Sequence, residues 1–166
     1  EIKLDKAGAG KLEVVLPAKP KGPSEVYAEM SFADPNGEIQ TIHGRVELWP
    51  AALTVGIKVA DWASATAKNR VEVIVLDTSG KPLAGQQVSV KAKRRIDYSH
   101  RRRIVGGFYA YDNRTEIKDL GPVCSGRSDA RGLLNCKAAL TQAGEVELVA
   151  TATDPKGRKA QAASSV

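Results

Sequence analysis

The sequence predicts an all-β chain folded as an antiparallel sandwich. Three observations carry this. Apolar residues recur with a period of two along most of the chain. Each run is closed by turn chemistry, and no convincing amphipathic helix appears. The composition, 42% hydrophobic and 27% charged over 166 residues, is that of a globular chain with material for a core.

The elements follow in order. Val26, Ala28, Met30 and Phe32 alternate with Tyr27, Glu29 and Ser31, and "DPNG" at 34–37 ends that strand. Asp-Pro-x-Gly suits a tight turn because Pro presets φ and Gly accepts positive φ. Leu53, Val55, Ile57 and Val59 alternate with Thr54, Gly56 and Lys58. "DWASATAKN" at 61–69 is read as one short helical turn at most. Val71, Val73 and Val75 form the next strand, closed by "DTSGKPLAG" at 77–85. Val88, Val90 and Ala92 follow. Val146, Leu148, Ala150 and Ala152 come last, before "DPKG" at 154–157. Many short strands with regular turns favour a two-sheet sandwich.

An internal repeat organises the chain. "EVYAEMSFADPNG" (25–37) and "EVELVATATDPKG" (145–157) share Glu, Val, Asp, Pro and Gly at a constant offset of 120. Upstream, "DKAGAGKLEVVL" (5–16) loosely echoes "DARGLLNCKAAL" (129–140). Residues 1–49 therefore read as the C-terminal strands of one module, and residues 50–166 as a complete second one. A sandwich of this type takes roughly 100 residues. "LWP" at 48–50 marks the joint. Pro50 halts the strand, and Trp49 is expected to pack between modules. Trp62 is read the same way, as core or inter-module packing, with a ligand-stacking platform as the alternative. A three- or four-stranded remnant cannot close a two-sheet core alone. Glu1 opens on a polar stretch without a signal-peptide pattern, so a processed protein or a piece of a longer one is expected.

Charge is concentrated in one place. Residues 91–103 hold seven Lys or Arg and one acid, Asp97, a net +6 that equals the whole chain's +6. "RRIDYSHRRR" reads as the tip of a long hairpin, because Arg94 would fall on the apolar face if the strand ran on past Lys93. Gly106 and Gly107 suggest a bulge on the return strand. Arg94, Arg95, Arg101, Arg102 and Arg103 are accordingly candidates for a solvated tip, or for a protease-sensitive or protein-contact loop. Nucleic acid is disfavoured, since the basic charge is local.

Cys124 and Cys136 flank a stretch of turn formers. Two strands joined there could bring their Cα atoms within disulfide range, about 5.5–6 Å. Two free thiols are the alternative. Zinc would want four ligands, and only His43 and His100 stand elsewhere. A disulfide implies an oxidising compartment. No stretch approaches the ~18 apolar residues of a membrane span, so no direct membrane insertion is expected.

Catalytic constellations are missing from the sequence. The two histidines are far apart, no G-x-S-x-G surrounds a serine, and Gly106 and Gly107 lack the Lys-Ser/Thr of a phosphate loop. His100 beside Ser99 is adjacency in sequence, not triad geometry. The expectation is a chain that is not an enzyme and has no cofactor or metal.

"GEIQTIHGRVELWPAALTVGIKVADW", "VLDTSGKPLAGQQVSVKA", "HRRRIVGGFYAYDN" and "GEVELVATATDPKGRKAQAASSV", in this order, resemble bacterial alpha-2-macroglobulins. The resemblance covers most of residues 25–166. It implies fibronectin/immunoglobulin-like macroglobulin domains strung into large periplasmic proteins that are often lipid-anchored. Such proteins trap proteases. A protease cuts an exposed bait, the inhibitor changes shape around it, and many members also couple to it through a Cys-Gln thioester. Neither Cys124 nor Cys136 sits in a Cys-x-Glu-Gln motif, so covalent capture is not expected here. The expected function is a scaffold segment of such an inhibitor, with proteases met through the full-length parent and neighbouring macroglobulin domains as partners. A tandem surface adhesin or structural module, and a bait-bearing segment with an Arg-rich loop, are the alternatives.

Overall fold

A computed structural model describes residues 2–16, 20, 22–60, 68–141 and 143–166. It is all-β, with no α-helix among the described residues. The strands are β1 (Ser24–Ala33), β2 (Ile39–Leu48), β3 (Leu53–Val59), β4 (Lys68–Asp77), β5 (Gln87–Arg103), β6 (Tyr109–Arg127), β7 (Leu133–Ala139), β8 (Val146–Thr153) and β9 (Lys159–Ser165). Lys68 and Asn69 open β4 rather than closing a helical turn, while the rest of the expected turn, with Trp62, lies outside the described residues.

Three antiparallel sheets result: β1-β2, β3-β4-β7 and β6-β5-β8-β9. The last two face each other and make a seven-stranded sandwich. The non-sequential neighbours, β4 beside β7 and β5 beside β8, are Greek-key crossovers typical of such sandwiches. Most of the core comes from alternating residues the sequence pointed to, and Ala51, Ala138, Leu140 and Ala160 complete it. Leu53, Val71, Val73, Val75, Val88, Val90, Ala92, Leu148, Ala150 and Ala152 are all buried. Each fully buried Val or Leu contributes roughly 1.5–3 kcal/mol relative to exposure.

One side of the sandwich closes where β3 meets β8 and β9. The other side closes covalently. Cys124 on β6 and Cys136 on β7 form a disulfide with Cα atoms 6.4 Å apart. The two strands are joined by the turn the sequence suggested, but they belong to opposite sheets, so the bond staples sheet to sheet.

A single turn design recurs five times, at Asp5, Asp34, Asp77, Asp129 and Asp154. In each, the carboxylate accepts N–H bonds from residues two and four places on. The backbone N–H of the glycine three places on donates to the aspartate's own carbonyl. That glycine always takes positive φ. The unit is an Asx-type turn that sets hairpin register without help from the core.

Asp154 carries an additional load. It is buried, and its Oδ2 accepts the Ala52 N–H at 3.1 Å and the Arg158 Nε–H at 2.7 Å. The β8–β9 turn is thereby tied to the entry of β3, 102 residues earlier. Among the described residues Ser128 is the other buried polar one, and its hydroxyl donates to the Leu83 carbonyl and accepts the Gln86 N–H.

The β1–β2 hairpin repeats β8–β9 in register as well as in sequence. Val26 faces Val46, as Val146 faces Val166 through paired backbone bonds, at the same offset of 120 that the sequence repeat shows. The contrast is burial. Val146, Leu148, Ala150 and Ala152 are covered, whereas Met30, Phe32, Ile42 and Val46 on the equivalent face stand exposed. Trp49 and Pro50, between β2 and β3, are half-buried, and Trp49 lines a shallow cleft with Pro23, Glu25, Arg45 and Glu47.

Candidate functional site

The basic segment is a strand, not a loop. β5 is held between β6 and β8 from Val88 to Arg94, then leaves β8 and continues paired only to β6. Nine cross-strand pairs, from Arg95↔Ile117 to Arg103↔Tyr109, build a two-stranded ribbon about 30 Å long at ~3.4 Å per residue. The expected hairpin exists, but the expected tip is corrected. Arg94, Arg95, Arg101, Arg102 and Arg103 lie in the rungs, and the turn is made by Ile104, Val105, Gly106, Gly107 and Phe108. Gly106 and Gly107 are the reversal itself, each with φ of 83°, rather than a bulge on the return strand.

The irregularities sit lower, at the root. β6 inserts Val123 opposite the Val90–Lys91 step and Leu120 opposite the Ala92–Lys93 step. Both extra residues are partly buried and pack on the core. Pro122, which has no N–H to donate, and Gly121, at positive φ, lie between them. Paired bulges of this kind bend a strand and raise its twist, so the ribbon departs from the sandwich here. "LGPV" at 120–123 is the sequence signal for this.

Arg94 is the last inward-facing residue of β5 paired to β8, opposite Val146. It is half-buried, and its guanidinium lies against Gly144. The sequence was right that an arginine on the apolar face marks an exit from the sheet. It did not reveal that pairing to β6 would persist.

Alternation divides the ribbon into two faces. One carries Ile96, Tyr98, His100 and Arg102 opposite Glu116, Arg114, Asp112 and Ala110. The other carries Arg95, Asp97, Ser99, Arg101 and Arg103 opposite Ile117, Thr115, Asn113, Tyr111 and Tyr109. Cross-strand bonds rigidify both: Tyr98 Oη–H donates to Glu116 at 3.2 Å, Ser99 to Asn113 at 2.8 Å and Thr115 to Asp97 at 2.6 Å. The Thr115 hydroxyl, with Arg95 Nε 3.0 Å away, holds Asp97 below the usual carboxylate range against the opposing effect of partial burial. The Arg101 guanidinium lies 3.7 Å from the centroid of the Tyr109 ring, a cation–π pair. All these groups are solvent-facing, so each contact is worth little alone.

His100 lies across from Asp112, and His43 stacks on Tyr27. Among the described residues no group of three His, Cys, Asp or Glu is placed to hold a metal ion.

No protein-family model matches the chain, and no curated relative matches it. Solved structures do. Salmonella alpha-2-macroglobulin reacted with methylamine superposes on 98% of this chain with a TM-score of 0.61 and 14% identity. The two share a fold. The chain spans only 12% of that protein's length. A tetra-tandem repeat in the extending region of a large adhesion protein covers 87% of this chain and 56% of its own, at 9% identity and a TM-score of 0.23.

Proposed function

We propose that this chain is a scaffold segment of a bacterial, alpha-2-macroglobulin-like protease-trapping inhibitor. The observation that carries the reading is the shared fold over 98% of the chain. The ordered sequence motifs around "LWPAALTVGIK" and "SHRRRIVGGFYAYDN" support it. In this reading residues 50–166 are one whole macroglobulin-like domain and residues 1–49 the end of the one before. The exposed row of Met30, Phe32, Ile42 and Val46 is then an inner face whose opposing sheet lies upstream. The role is mechanical rather than enzymatic. Rigid modules hold the cage, and protease is met only through the parent. The Cys124–Cys136 disulfide fits an oxidising compartment, of which the periplasm is the proposed one.

The test uses the longer parent that carries this segment. After reaction with trypsin, the bound enzyme should still hydrolyse a small amide substrate but lose action on a large protein substrate. Undiminished action on the large substrate would end the inhibitor reading. A second reading, that the ribbon is itself the bait, is favoured by three consecutive exposed arginines at 101–103. Their pairing in rungs opposes it, because a protease needs an unpaired extended strand and must first open the hairpin. Low-dose trypsin on the 166-residue chain is expected to leave 91–111 intact. Early cleavage at Arg101, Arg102 or Arg103 would move the assignment to bait.

A further inference from the structure

The apex of the β5–β6 ribbon has a layered composition that the scaffold role does not use. Its outermost side chains are apolar: Val105 is 97% and Phe108 72% exposed, with Ile104 beside them. The Ile104 N–H donates to the Phe108 carbonyl at 2.8 Å and sets both at one level. Between them Gly106 and Gly107 reverse the chain and add no side chain to cover the apolar pair.

One layer behind lie Tyr109 and Tyr111, both exposed, on the same face as Arg101 and Arg103. Arg102 and His100 occupy the opposite face. The three rungs from Arg101↔Tyr111 to Arg103↔Tyr109 contain three arginines and no acid, and the nearest acid, Asp112, lies one rung further back opposite His100. Along its axis an apolar layer is therefore followed by rungs in which aromatic and cationic side chains lie opposite one another.

A groove on a protein partner would surround an apolar anchor with charges of both signs fitted to one orientation. The collar here carries one sign on both faces of the ribbon. That suits a plane that is anionic everywhere. Apolar side chains would enter the acyl boundary, tyrosines would rest at headgroup depth, and arginines would meet phosphates. We infer that this apex, residues 101–111, docks against an anionic phospholipid surface. The sequence expectation of no direct membrane insertion concerned a spanning segment, whereas this contact is superficial and involves a few side chains. It stands independently of the inhibitor reading.

The experiment is co-sedimentation of the 166-residue chain with vesicles of phosphatidylglycerol mixed with phosphatidylcholine, and with phosphatidylcholine alone. Binding is expected on the anionic vesicles only, weakening steeply as salt rises. Val105→Ser with Phe108→Ser leaves the charge unchanged and should lower affinity at least ~10-fold. Lys91→Gln, Lys93→Gln and Lys159→Gln remove three charges from the open face of the four-stranded sheet and should reduce affinity less than Arg101→Gln, Arg102→Gln and Arg103→Gln do. Phe108→Trp should show a blue-shifted emission with anionic vesicles, beyond any change in the parent chain. Unchanged thermal melting of each variant confirms that it folds. No binding to anionic vesicles would overturn the inference. So would binding that the serine pair leaves intact, equal loss from the two triple variants, or apex variants that abolish binding to another protein while vesicles are ignored.

Discussion

At the residue scale, the most telling group is Asp154. Burial opposes its ionisation, but N–H donors from Ala52, Arg158 and Lys156, with the Arg158 guanidinium, outweigh this and hold the carboxyl at about 2. A free aspartate titrates near ~3.9. Because the folded value is the lower one, the stabilisation is complete above the free value and is lost as pH falls from about 4 through about 2. Asp154→Asn should therefore melt several degrees below the parent at neutral pH and lose less stability on acidification across that window, as read by thermal melts at stepped pH. Asp34→Asn, with the same turn but no bond to a distant strand, should cost less. Gly132 is a second sensitive residue. It sits at φ 74°, and a Cβ there would lie 2.5 Å from the Val75 carbonyl oxygen. Gly132→Ala is expected to destabilise by more than ~1 kcal/mol, measured by urea unfolding. Three of the five aspartate turns were legible from "DPNG", "DTSG" and "DPKG", where Pro, or Ser with Gly, announces the bend. The Asp129 turn showed as Asp129 and Gly132 among the turn formers between the cysteines, whereas the Asp5 turn surfaced only as part of a loose repeat, since "DKAG" carries no Pro or Ser. The long bond from Asp154 to Ala52 had no local sequence signal at all.

At the element scale, four of the seven sandwich strands, β3, β4, the inner half of β5 and β8, stood out because each has one buried face and one wet face, which is what a period of two records. β7 and β9 are rich in Ala, Asn, Ser and Gln, so their alternation is faint. β5 is the instructive miss. Its inner half obeys the core, while its outer half answers only to β6 through cross-strand pairs such as Ser99 with Asn113 and Thr115 with Asp97. Polar pairing of that kind leaves no hydrophobic period, so arginines at 101–103 looked like a loop. The disulfide was readable as a pairing, but its placement across opposite sheets depended on the crossover that sets β7 beside β4. Its sequence separation is 12, short enough that the loop-entropy argument gives about 3 kcal/mol of stabilisation. Cys124→Ser with Cys136→Ser should lower the urea midpoint by that amount divided by the urea dependence, with the fold retained because the core remains intact. An unchanged midpoint would show that sheet-to-sheet packing alone holds this edge.

At the scale of the molecule, the decisive asymmetry is between two hairpins of one design. β8–β9 and β1–β2 share sequence, turn and register, yet the first is roofed by β3 and the second carries Met30, Phe32, Ile42 and Val46 in the open. A hairpin in isolation is marginal in water, because it orders its backbone without burying a face. Among the described residues the buried cluster runs from Ala51 to Ala160, and the Ala52–Asp154 tie lies wholly within residues 50–166. Residues 50–166 alone should therefore fold and unfold in a single transition within a few degrees of the full chain, while residues 1–49 alone should show no cooperative melt and little amide protection. Hydrogen exchange on the full chain checks the same division without cutting it. Slow amides should map to the β3, β4, β5 and β8 core, and the β1–β2 amides should exchange by a separate opening of lower free energy. Should β1–β2 instead exchange in step with the core, the two parts would form one cooperative unit, and the boundary at Trp49 and Pro50 would be a bend within a domain, not a joint between domains.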